Sequence, residues 1–360
     1  MDDLEAFHEA YGGTVEERDG RRQVVDYGRP ARTQLAVRNG AGVTEHPLDV
    51  VVVTGEDRVD YVDNVVSNRV PREADRGCYA LLCDPQGRIE TDLYAVNAGD
   101  RLLLFLPPGR GAPTVDGWEA FIQDVAFDVA TGRFAVLGVH GPQATPALAA
   151  VLRGETPPDA RLTVGRGEVA GAGVSVVRDD DPAGEPGYAV VCAAADAADV
   201  AEALVTAGPG AAPFGRRVWN ALTLEAGTPR FATELDGRIP NVAGVRNAVD
   251  FEKGCFVGQE VVSKVENVGR PSQRLVGLRP EAAPEPGVTV TADGDDVGEV
   301  TRAAESPVLD RPIAMAYVDY GLEVDELAVE VDGAPVAAER AELPFVEGSE
   351  RSARVPSYPD

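Results

Sequence analysis

Residues 253–260, K-G-C-F-V-G-Q-E, hold an ammonium, a thiol, an amide and a carboxylate within one short stretch. Gly254 and Gly258 flank Cys255, so the backbone can turn in ways closed to residues with a Cβ and can approach another group closely. A thiol in such a bend is presented to its surroundings instead of being packed. The pattern indicates a small-molecule site in which Cys255 is the reactive group and Gly254 borders the ligand.

The basic residues of the chain single out the same stretch. Lys253 and Lys264 are the only lysines, and every other basic residue is an arginine. An ammonium beside a thiol favours the reactive thiolate, so Lys253 is expected to activate the cysteine. Gln259 and Glu260 follow at the start of an apolar run, where we expect them to shape a pocket.

The stretch also permits a structural interpretation. Five apolar side chains could form a buried strand edge with both lysines on a solvated face: Phe251, Phe256, Val257, Val261 and Val262. The cysteine would then be a half-buried packing group. The two interpretations differ in where the sulfur lies and in what surrounds it.

The charge of the chain excludes one broad class of function. Its formal net charge is -27, from 60 acidic and 33 basic residues spread through the sequence. Because no basic stripe offers phosphate neutralisation, general nucleic-acid binding is not expected. A composition this acidic and this poor in lysine is typical of a halophilic protein, because hydrated carboxylates keep such a protein soluble at high salt. The N-terminus has no basic segment followed by an apolar run and no window is apolar enough to span a membrane, which predicts a cytoplasmic protein.

The remaining cysteines and histidines do not predict a metal site. Cys78 and Cys83 lack a second pair at ligand spacing, and their apolar context predicts core packing. His140 has no identifiable partner in the sequence. We therefore expect it to be a structural or surface residue.

Two strand-turn-helix units of similar form predict two related α+β parts. The first begins with the apolar residues 48–53 and the second with residues 134–139, and each passes through a glycine-containing turn into helical spacing. Between them, residues 78–106 are typical of three strands joined by tight turns, which implies antiparallel pairing. A short helix is expected around Trp118, Phe121 and Ile122.

Short strands separated by turns follow residue 270 and are typical of a small β-barrel. The chain is therefore expected to divide into α+β parts at 1–130 and 131–270, a barrel at 271–346 and a flexible tail at 347–360.

The stretch at 253–260 resembles the signature of the YgfZ-type folate-binding proteins, relatives of the glycine-cleavage T-protein, an aminomethyltransferase. Further motifs match that family in order: G-P-x-A at 141–144, G-E-x-G-aromatic at 184–188 and E-A-G-x-P at 225–229. The resemblance covers residues 4–346. It implies an α+β, three-domain T-protein-like fold, with two related α+β domains around a central folate cavity and a C-terminal β-barrel.

The resemblance also implies tetrahydrofolate as the cofactor and suggests the residues that hold it. In T-proteins an acidic residue on the second strand of the hairpin orients the nitrogen that receives the one-carbon unit. Thr91 and Asp92 occupy the matching place. If the catalytic position is the first of the pair it is lost, which is the interpretation we favour, whereas a shift of one residue would let Asp92 serve; Asp92 is kept as a candidate site residue. The family motifs further imply that Glu185, Glu225 and Arg217 contact the folate.

Three departures from the T-protein pattern affect the choice of function. Thr91 stands where the first acidic residue of the pair is expected, Ala189 replaces an acidic residue after the G-E-x-G-aromatic motif, and T-proteins lack Cys255. These departures favour a YgfZ-type protein over a standard aminomethyltransferase.

Three hypotheses remain open. The first is a tetrahydrofolate-binding protein of the YgfZ type, which the resemblance connects to the assembly or maintenance of iron-sulfur enzymes, with iron-sulfur proteins as partners and Cys255 as the reactive group. The second is a folate-dependent aminomethyl or methyl transferase or demethylase acting through Asp92. The third is a partner-binding protein whose folate site is vestigial.

Overall fold

The computed structural model describes residues 3–18, 21–118, 124–347 and 350–359. Its α-helices are α1 Asp3–Ala10, α2 Pro30–Asn39, α3 Arg58–Val65, α4 Gly111–Trp118, α5 Ala144–Val151, α6 Ala197–Thr206, α7 Arg216–Glu225, α8 Pro240–Ala243 and α9 Gln259–Asn267. The strands of the α+β region are β1 Thr14–Arg18, β2 Arg21–Asp26, β3 Gly42–Glu45, β4 Asp49–Thr54, β5 Arg76–Cys83, β6 Ile89–Asn97, β7 Leu102–Leu106, β8 Ala126–Val129, β9 Phe134–His140, β10 Arg153–Gly154, β11 Val164–Val169, β12 Ala172–Arg178, β13 Gly187–Ala193 and β14 Ala212–Pro213. The remaining strands are β15 Gln273–Pro280, β16 Thr289–Ala292, β17 Asp295–Ser306, β18 Arg311–Asp319, β19 Glu326–Val331 and β20 Ala334–Ala341.

The first sheet is antiparallel and has the strand order β5-β6-β7-β4-β8. Successive residues of a strand point to opposite faces, and both faces are buried here. Cys78 and Ala80 pack in the core that includes α3, whereas Tyr79 and Cys83 pack against residues 235–262 on the other face. The three predicted strands are confirmed, and both cysteines of β5 lie in the core as predicted.

The second sheet has the order β10-β11-β12-β13-β9-β3-β14 and is antiparallel except at the β3–β14 edge. Helices α1, α5 and α6 cover one of its faces. The predicted strand-turn-helix units are β4–α3 and β9–α5. Strand β3 comes from the N-terminal part but pairs with β9, with Gly42 opposite His140. The predicted division at residue 130 separates the parts by sequence order, whereas in space strand β3 of the N-terminal part belongs to the second sheet.

Strands β15–β20 form a closed barrel in the order β15-β18-β17-β16-β19-β20, which confirms the predicted barrel. Tyr317 and Arg302 are among the barrel side chains that join it to the α+β region. Tyr317 donates a hydrogen bond to the Glu234 carbonyl at 2.8 Å, and Arg302 donates to the Thr228 carbonyl at 2.8 Å. The barrel is thereby fixed beside α7 and the π turn Phe231–Leu235.

The inner faces of the two sheets meet through an apolar cluster. Val50, Val96 and Phe105 of the first sheet pack with Val136 and Val177 of the second. A cavity opens beside this contact, and hairpin β1–β2 and helix α7 complete its wall. The fold is the α+β arrangement with a central cavity and a C-terminal barrel that the family resemblance implied.

The C-terminal segment differs from the expected flexible tail. Ser352 and Arg354 are buried. Tyr358 donates a hydrogen bond to the Val242 carbonyl at 2.9 Å, and the Ser357 amide donates to the Gly244 carbonyl at 2.9 Å. The segment lies against the rest of the protein because its polar groups form hydrogen bonds there. Its composition alone does not reveal these partners.

Helix α4 ends at Trp118, whereas Phe121 and Ile122 of the expected helix lie outside the described residues. Within the ranges that the structure describes, no helix has the length and apolar character needed to cross a membrane.

Candidate functional site in the central cavity

The cavity between the two sheets has a volume of about 550 Å³. Its wall is mostly apolar and carries a small number of buried polar side chains, which is the usual make-up of a small-molecule site. Polar groups reach the wall from many parts of the chain, among them strand β6, the ends of β3, β9 and β12, helix α7 and the C-terminal segment.

Asp92 is the carboxylate that β6 contributes to this wall. It lies between Thr91 and Leu93 and is paired with Leu81 across the β5–β6 ladder. The Tyr79 hydroxyl donates a hydrogen bond to Asp92 Oδ2 at 2.8 Å, and Arg354 Nη1 lies 3.6 Å from the same oxygen. Burial raises the pKa of Asp92, against the opposing effects of Arg354 and of the tyrosine hydrogen bond. Asp92 is thus a better base than an exposed carboxylate.

Arg354 reaches the cavity wall from the C-terminal segment. Its Nε donates to Asp180 Oδ2 at 3.0 Å, and its Nη2 donates to the Tyr94 hydroxyl, which in turn donates to Asp180 Oδ1. The guanidinium carbon lies 4.0 Å from the ring centre of Tyr79 and 4.9 Å from that of Tyr94. One arginine therefore connects the two sheets at the cavity.

The backbone around Arg354 is held in the same place. The Ala353 amide donates to the Asp180 carbonyl at 3.0 Å, and the hydroxyls of Thr228 and Ser352 are 2.7 Å apart. Burial raises the pKa of Asp180 well above its ordinary value, and the charge of Asp179 adds to that effect. Arg354 and the Tyr94 hydroxyl both bond to this carboxyl group.

A second polar group of the wall consists of His46, His140, Asp179 and Trp219. The Nε2 atoms of the two histidines are 2.9 Å apart, and His140 Nδ1 lies 3.4 Å from Asp179 Oδ2. The Trp219 ring centre is 4.7 Å from that of His46 and 4.6 Å from that of His140. Burial lowers the pKa of His46 well below its ordinary value, so this imidazole is neutral. The sequence identified no partner for His140, which was expected to be a structural or surface residue; it is buried in the cavity wall, bonded to His46 and close to Asp179.

Arg230 lies on the side of the cavity nearest the barrel. Burial lowers its pKa to about 10, and the nearby charge of Arg302 acts in the same direction. The guanidinium still carries its charge at neutral pH, so it supplies positive potential to a wall that also holds carboxylates.

Two of the predicted site residues line the cavity: Asp92 and Arg217. Arg217 is largely exposed on α7 and lies 3.1 Å from Asp26. Glu185 is buried but is not among the lining residues. Glu225 accepts hydrogen bonds from Gln34, Arg38 and Ser306, and these contacts join α7 to α2 and the barrel.

The predicted residues of the 253–260 stretch lie outside the cavity wall. Lys253 is buried, and its ammonium donates to the carbonyls of Asp63, Val66 and Asn68, the last two at 3.0 Å. Burial lowers the pKa of Lys253, and the nearby Asp63 carboxylate opposes this effect only in part. The ammonium thus fixes the loop that carries these three carbonyls.

Cys255 itself is exposed, as is Gly254. The neighbouring Phe256 is buried and anchors the loop. Gln259 donates to the Lys253 carbonyl at 3.3 Å, and Glu260 is exposed in the first turn of α9. The structure therefore keeps these residues together, in a surface loop separate from the cavity.

Sequence reasoning missed several residues of the wall, among them Arg354, Tyr94, Asp180 and His46. One usable signal existed in β6, because Asp92 and Tyr94 fall on the same face of a strand whose other residues are mostly apolar. Nothing in the sequence pairs Arg354 with residues far from it along the chain.

The comparisons with known proteins agree with this architecture. Residues 4–253 match the model of the GCVT N-terminal domain, and residues 273–347 match that of the glycine cleavage T-protein C-terminal barrel domain. An aminomethyltransferase from Saccharopolyspora erythraea is 32% identical over 362 residues, covering 95% of this chain and 96% of that protein. One from Streptomyces avermitilis is 30% identical over 364 residues, with 95% and 96% covered.

Among solved structures, the crystal structure of glycine cleavage system aminomethyltransferase T from Bartonella henselae superposes with a TM-score of 0.87. It is 24% identical and covers 97% of this chain and 98% of that one, which shows the shared fold. The two family models together take in the α+β region and the barrel. The chain therefore belongs to the glycine cleavage T-protein family.

Proposed function

We propose that this protein binds a reduced folate in the central cavity and transfers a one-carbon unit to it from an aminomethyl-type donor. The observation that carries the proposal is the placement of Asp92, a buried carboxylate in the wall of that cavity, held by Tyr79 and Arg354. The curated relatives that cover nearly the whole chain are named aminomethyltransferases. Both lines of support favour the transferase over the YgfZ-type hypothesis.

The residues of the wall fit a folate. A volume of about 550 Å³ lies within the range of small-molecule pockets. Apolar side chains such as Val136 and Val177 suit the faces of a flat ring, whereas Arg217 suits the carboxylates of a glutamate tail.

Tetrahydrofolate, when bound, supplies a ring nitrogen that acts as the nucleophile toward the one-carbon unit. Asp92 would accept a hydrogen bond from that N–H group and take its proton as the new bond to carbon forms, while the donor's bond to the same carbon breaks and its electron pair leaves with the donor. Because burial raises the pKa of this carboxyl group, its basicity suits proton transfer better than that of an exposed aspartate. Tyr79 and Arg354 act as positioning residues, since both contact Oδ2 of the carboxylate.

The experiment is turnover with tetrahydrofolate and an aminomethyl donor, compared between the unmodified protein and Asp92→Asn. The amide keeps the shape of the carboxylate but cannot take the proton, so we expect kcat to fall about 10²- to 10⁴-fold while folate affinity changes little. Glu16→Gln removes a different carboxylate of the same wall and serves as the control. Equal turnover in Asp92→Asn and the unmodified protein would overturn the assignment.

A second candidate is a folate-binding protein that supports iron-sulfur enzymes through Cys255. The observation in its favour is that Cys255 is the exposed one of the four cysteines. The test is complementation of an iron-sulfur defect by Cys255→Ser, together with titration of 5-formyltetrahydrofolate. Loss of complementation with intact folate binding supports this candidate. Full complementation would show that the function does not need the thiol.

A further inference from the structure

Arg354 reaches the cavity wall from a part of the chain that lies outside the two matched domains. The match to the barrel domain ends at residue 347, whereas Arg354 belongs to the segment of residues 350–359. The arginine is 8% exposed, and its guanidinium contacts Asp92 of β6 and Asp180 of the turn after β12. The cation beside the candidate base therefore comes from a segment that the family barrel does not include.

Asp180 binds this segment through both its side chain and its backbone. Its Oδ2 accepts from Arg354 Nε at 3.0 Å, and its carbonyl accepts from the Ala353 amide at 3.0 Å. Its Oδ1 accepts from the Tyr94 hydroxyl, which in turn accepts from Arg354 Nη2. One residue of the second sheet thus holds two successive residues of the C-terminal segment.

The turn that carries Asp180 is fixed by its own hydrogen bonds. Asp179 Oδ1 accepts from the Asp181 amide at 2.9 Å and from Arg178 at 3.2 Å. The Gly184 amide donates to the Asp181 carbonyl at 2.8 Å. These contacts do not involve the C-terminal segment, so the turn can present Asp180 to it.

The distances show which of the two carboxylates holds the guanidinium. Arg354 Nη1 lies 3.6 Å from Asp92 Oδ2, which is too long for a hydrogen bond, whereas Nε bonds to Asp180. The contact with Asp92 is therefore electrostatic. Its strength depends on the separation of the charges, and Asp180 sets that separation.

The Asp92 carboxyl is affected by groups from several elements: Tyr79 of β5, Arg354 of the C-terminal segment and Arg230 on the side nearest the barrel. Burial raises the pKa of Asp92, and all three groups oppose the rise. Arg354 has the largest opposing effect of the three. Displacing this cation would therefore raise the pKa of Asp92 further.

Asp180 itself lies among like charges. Burial raises the pKa of Asp180 well above its ordinary value, and the charges of Asp179 and Asp181 add to the rise, whereas Arg161 opposes it. The groups that bond to its oxygens are Arg354 and the Tyr94 hydroxyl. A buried carboxylate is costly without such a partner, so Asp180 and Arg354 hold each other in place.

We propose that Asp180 is the docking residue of the C-terminal segment and a positioning residue for the proposed reaction, because it holds Arg354 at a fixed distance from the Asp92 carboxylate. This inference deepens the proposed function, and its bearing on the reaction rests on that function. Asp180 acts through Arg354 and not on the substrate.

The titration of Asp92 measures whether Arg354 is in place. In protein with ¹³C-labelled aspartate, the side-chain carboxyl resonance of Asp92 is identified by its absence in Asp92→Asn, and its pH midpoint is measured without ligand. Asp180→Asn keeps an amide oxygen that can accept from Arg354 Nε, whereas Asp180→Ala keeps no acceptor. Both variants lose the same charge, so a difference between their midpoints reports the position of the arginine.

We expect the Asp92 midpoint to be about one pH unit higher in Asp180→Ala than in Asp180→Asn, since only the alanine releases the cation. The two midpoints should coincide when each change is combined with Arg354→Ala, because the arginine that distinguishes them is gone. Glu350→Gln is the control: Glu350 pairs with Arg161 at 3.3 Å in an exposed part of the same segment, so its loss should leave the midpoint unchanged. Equal midpoints in Asp180→Asn and Asp180→Ala would overturn the inference.

A second variant covers the case in which Asp180→Ala does not fold. Arg354→Lys keeps the charge but replaces the planar fork by a single ammonium, which cannot serve both carboxylates at once. We expect the ammonium to stay with Asp180 and the Asp92 midpoint to rise by about one pH unit. A midpoint equal to that of the unmodified protein would show that the cation does not need its hold on Asp180, which also overturns the inference.

The pH profile of kcat/KM separates this inference from the proposed function. With turnover present, the acid-side midpoints of kcat/KM should follow the same order as the Asp92 midpoints. If the carboxyl midpoints show the expected order but the unmodified protein has no turnover with tetrahydrofolate and an aminomethyl donor, the proposed function is overturned and the docking role of Asp180 stands. If turnover is present and the carboxyl midpoints of Asp180→Asn and Asp180→Ala coincide, the inference is overturned and the proposed function stands.

Discussion

Arg354 Nη1 lies 3.6 Å from Oδ2 of Asp92, although 262 positions of the 360-residue chain separate the two residues. Asp92 belongs to β6 of the first sheet, and Arg354 belongs to a segment that follows the barrel. The guanidinium also bonds to Asp180 at the end of β12, so it closes the cavity wall between the sheets. The proposed base therefore depends on the C-terminal segment for its electrostatic surroundings.

Replacing Arg354 tests that dependence. Arg354→Ala removes the positive charge that opposes the burial effect, so the pKa of Asp92 should rise further. The pH at which kcat/KM reaches half of its plateau value should therefore be higher in Arg354→Ala than in the unmodified protein. Arg351→Ala is the matched control, because Arg351 is an exposed arginine in the same segment. Identical pH profiles for Arg354→Ala and the unmodified protein would contradict the proposed coupling.

The raised pKa of Asp92 also affects stability. Between the ordinary aspartate value and the raised value, the unfolded chain has lost its proton while the folded chain retains it, so this carboxyl group makes the folded state less stable as pH increases. Asp92→Asn cannot titrate and lacks that contribution. The free energy of unfolding of Asp92→Asn, minus that of the unmodified protein, should therefore increase from about pH 4 to pH 7. A difference that stays constant across this range would argue against a raised pKa.

The architecture was predictable from the sequence because it follows from local patterns. The apolar runs of β4 and β9 lead through glycine turns into helices, and the short strands after residue 270 alternate with turn residues, so element types follow from periodicity. Strand alternation also indicates that Asp92 and Tyr94 share a face. These features depend on neighbours in the sequence.

The cavity wall was only partly predictable because it depends on pairings between distant residues. His140 meets His46 and Asp179 only after β3 joins β9 and β13 joins β9 in one sheet. Nothing local indicates that Lys253 donates to three backbone carbonyls instead of facing the thiol of Cys255. Sequence motifs identified a group of residues that the fold does keep together, but they did not indicate which surface the group faces.

The two lysines offer a matched comparison of a buried and an exposed ammonium. Lys253→Met leaves the carbonyls of Val66 and Asn68 without their donor in a buried loop junction, which should lower the free energy of unfolding by about 2–4 kcal/mol. Lys264 is exposed on α9, so Lys264→Met should change it by less than about 0.5 kcal/mol. Denaturant unfolding measures both. Equal small effects would show that the loop does not need the Lys253 ammonium.

The acidic composition predicts a response to salt. With a formal net charge of -27, self-repulsion opposes the compact state, and added salt screens it. The thermal midpoint should therefore rise as KCl is increased from about 0.1 M to about 1 M, where the screening length falls from about 10 Å to about 3 Å. Sodium chloride at the same ionic strength should act similarly if screening is the cause. A midpoint that falls over this range would contradict the prediction.

Alkylation distinguishes the surface thiol from the other three. Burial raises the pKa of Cys78 and Cys83 to about 12 and that of Cys192 to about 11, whereas Cys255 is exposed. Iodoacetamide at pH 8 should therefore modify Cys255 alone in the folded protein, and Cys255→Ser should be unreactive until it is unfolded. Because Cys255 lies outside the cavity wall, the alkylated protein should bind 5-formyltetrahydrofolate with an unchanged Kd. A large loss of affinity after alkylation would instead link this thiol to the folate site and restore the hypothesis of a reactive cysteine there.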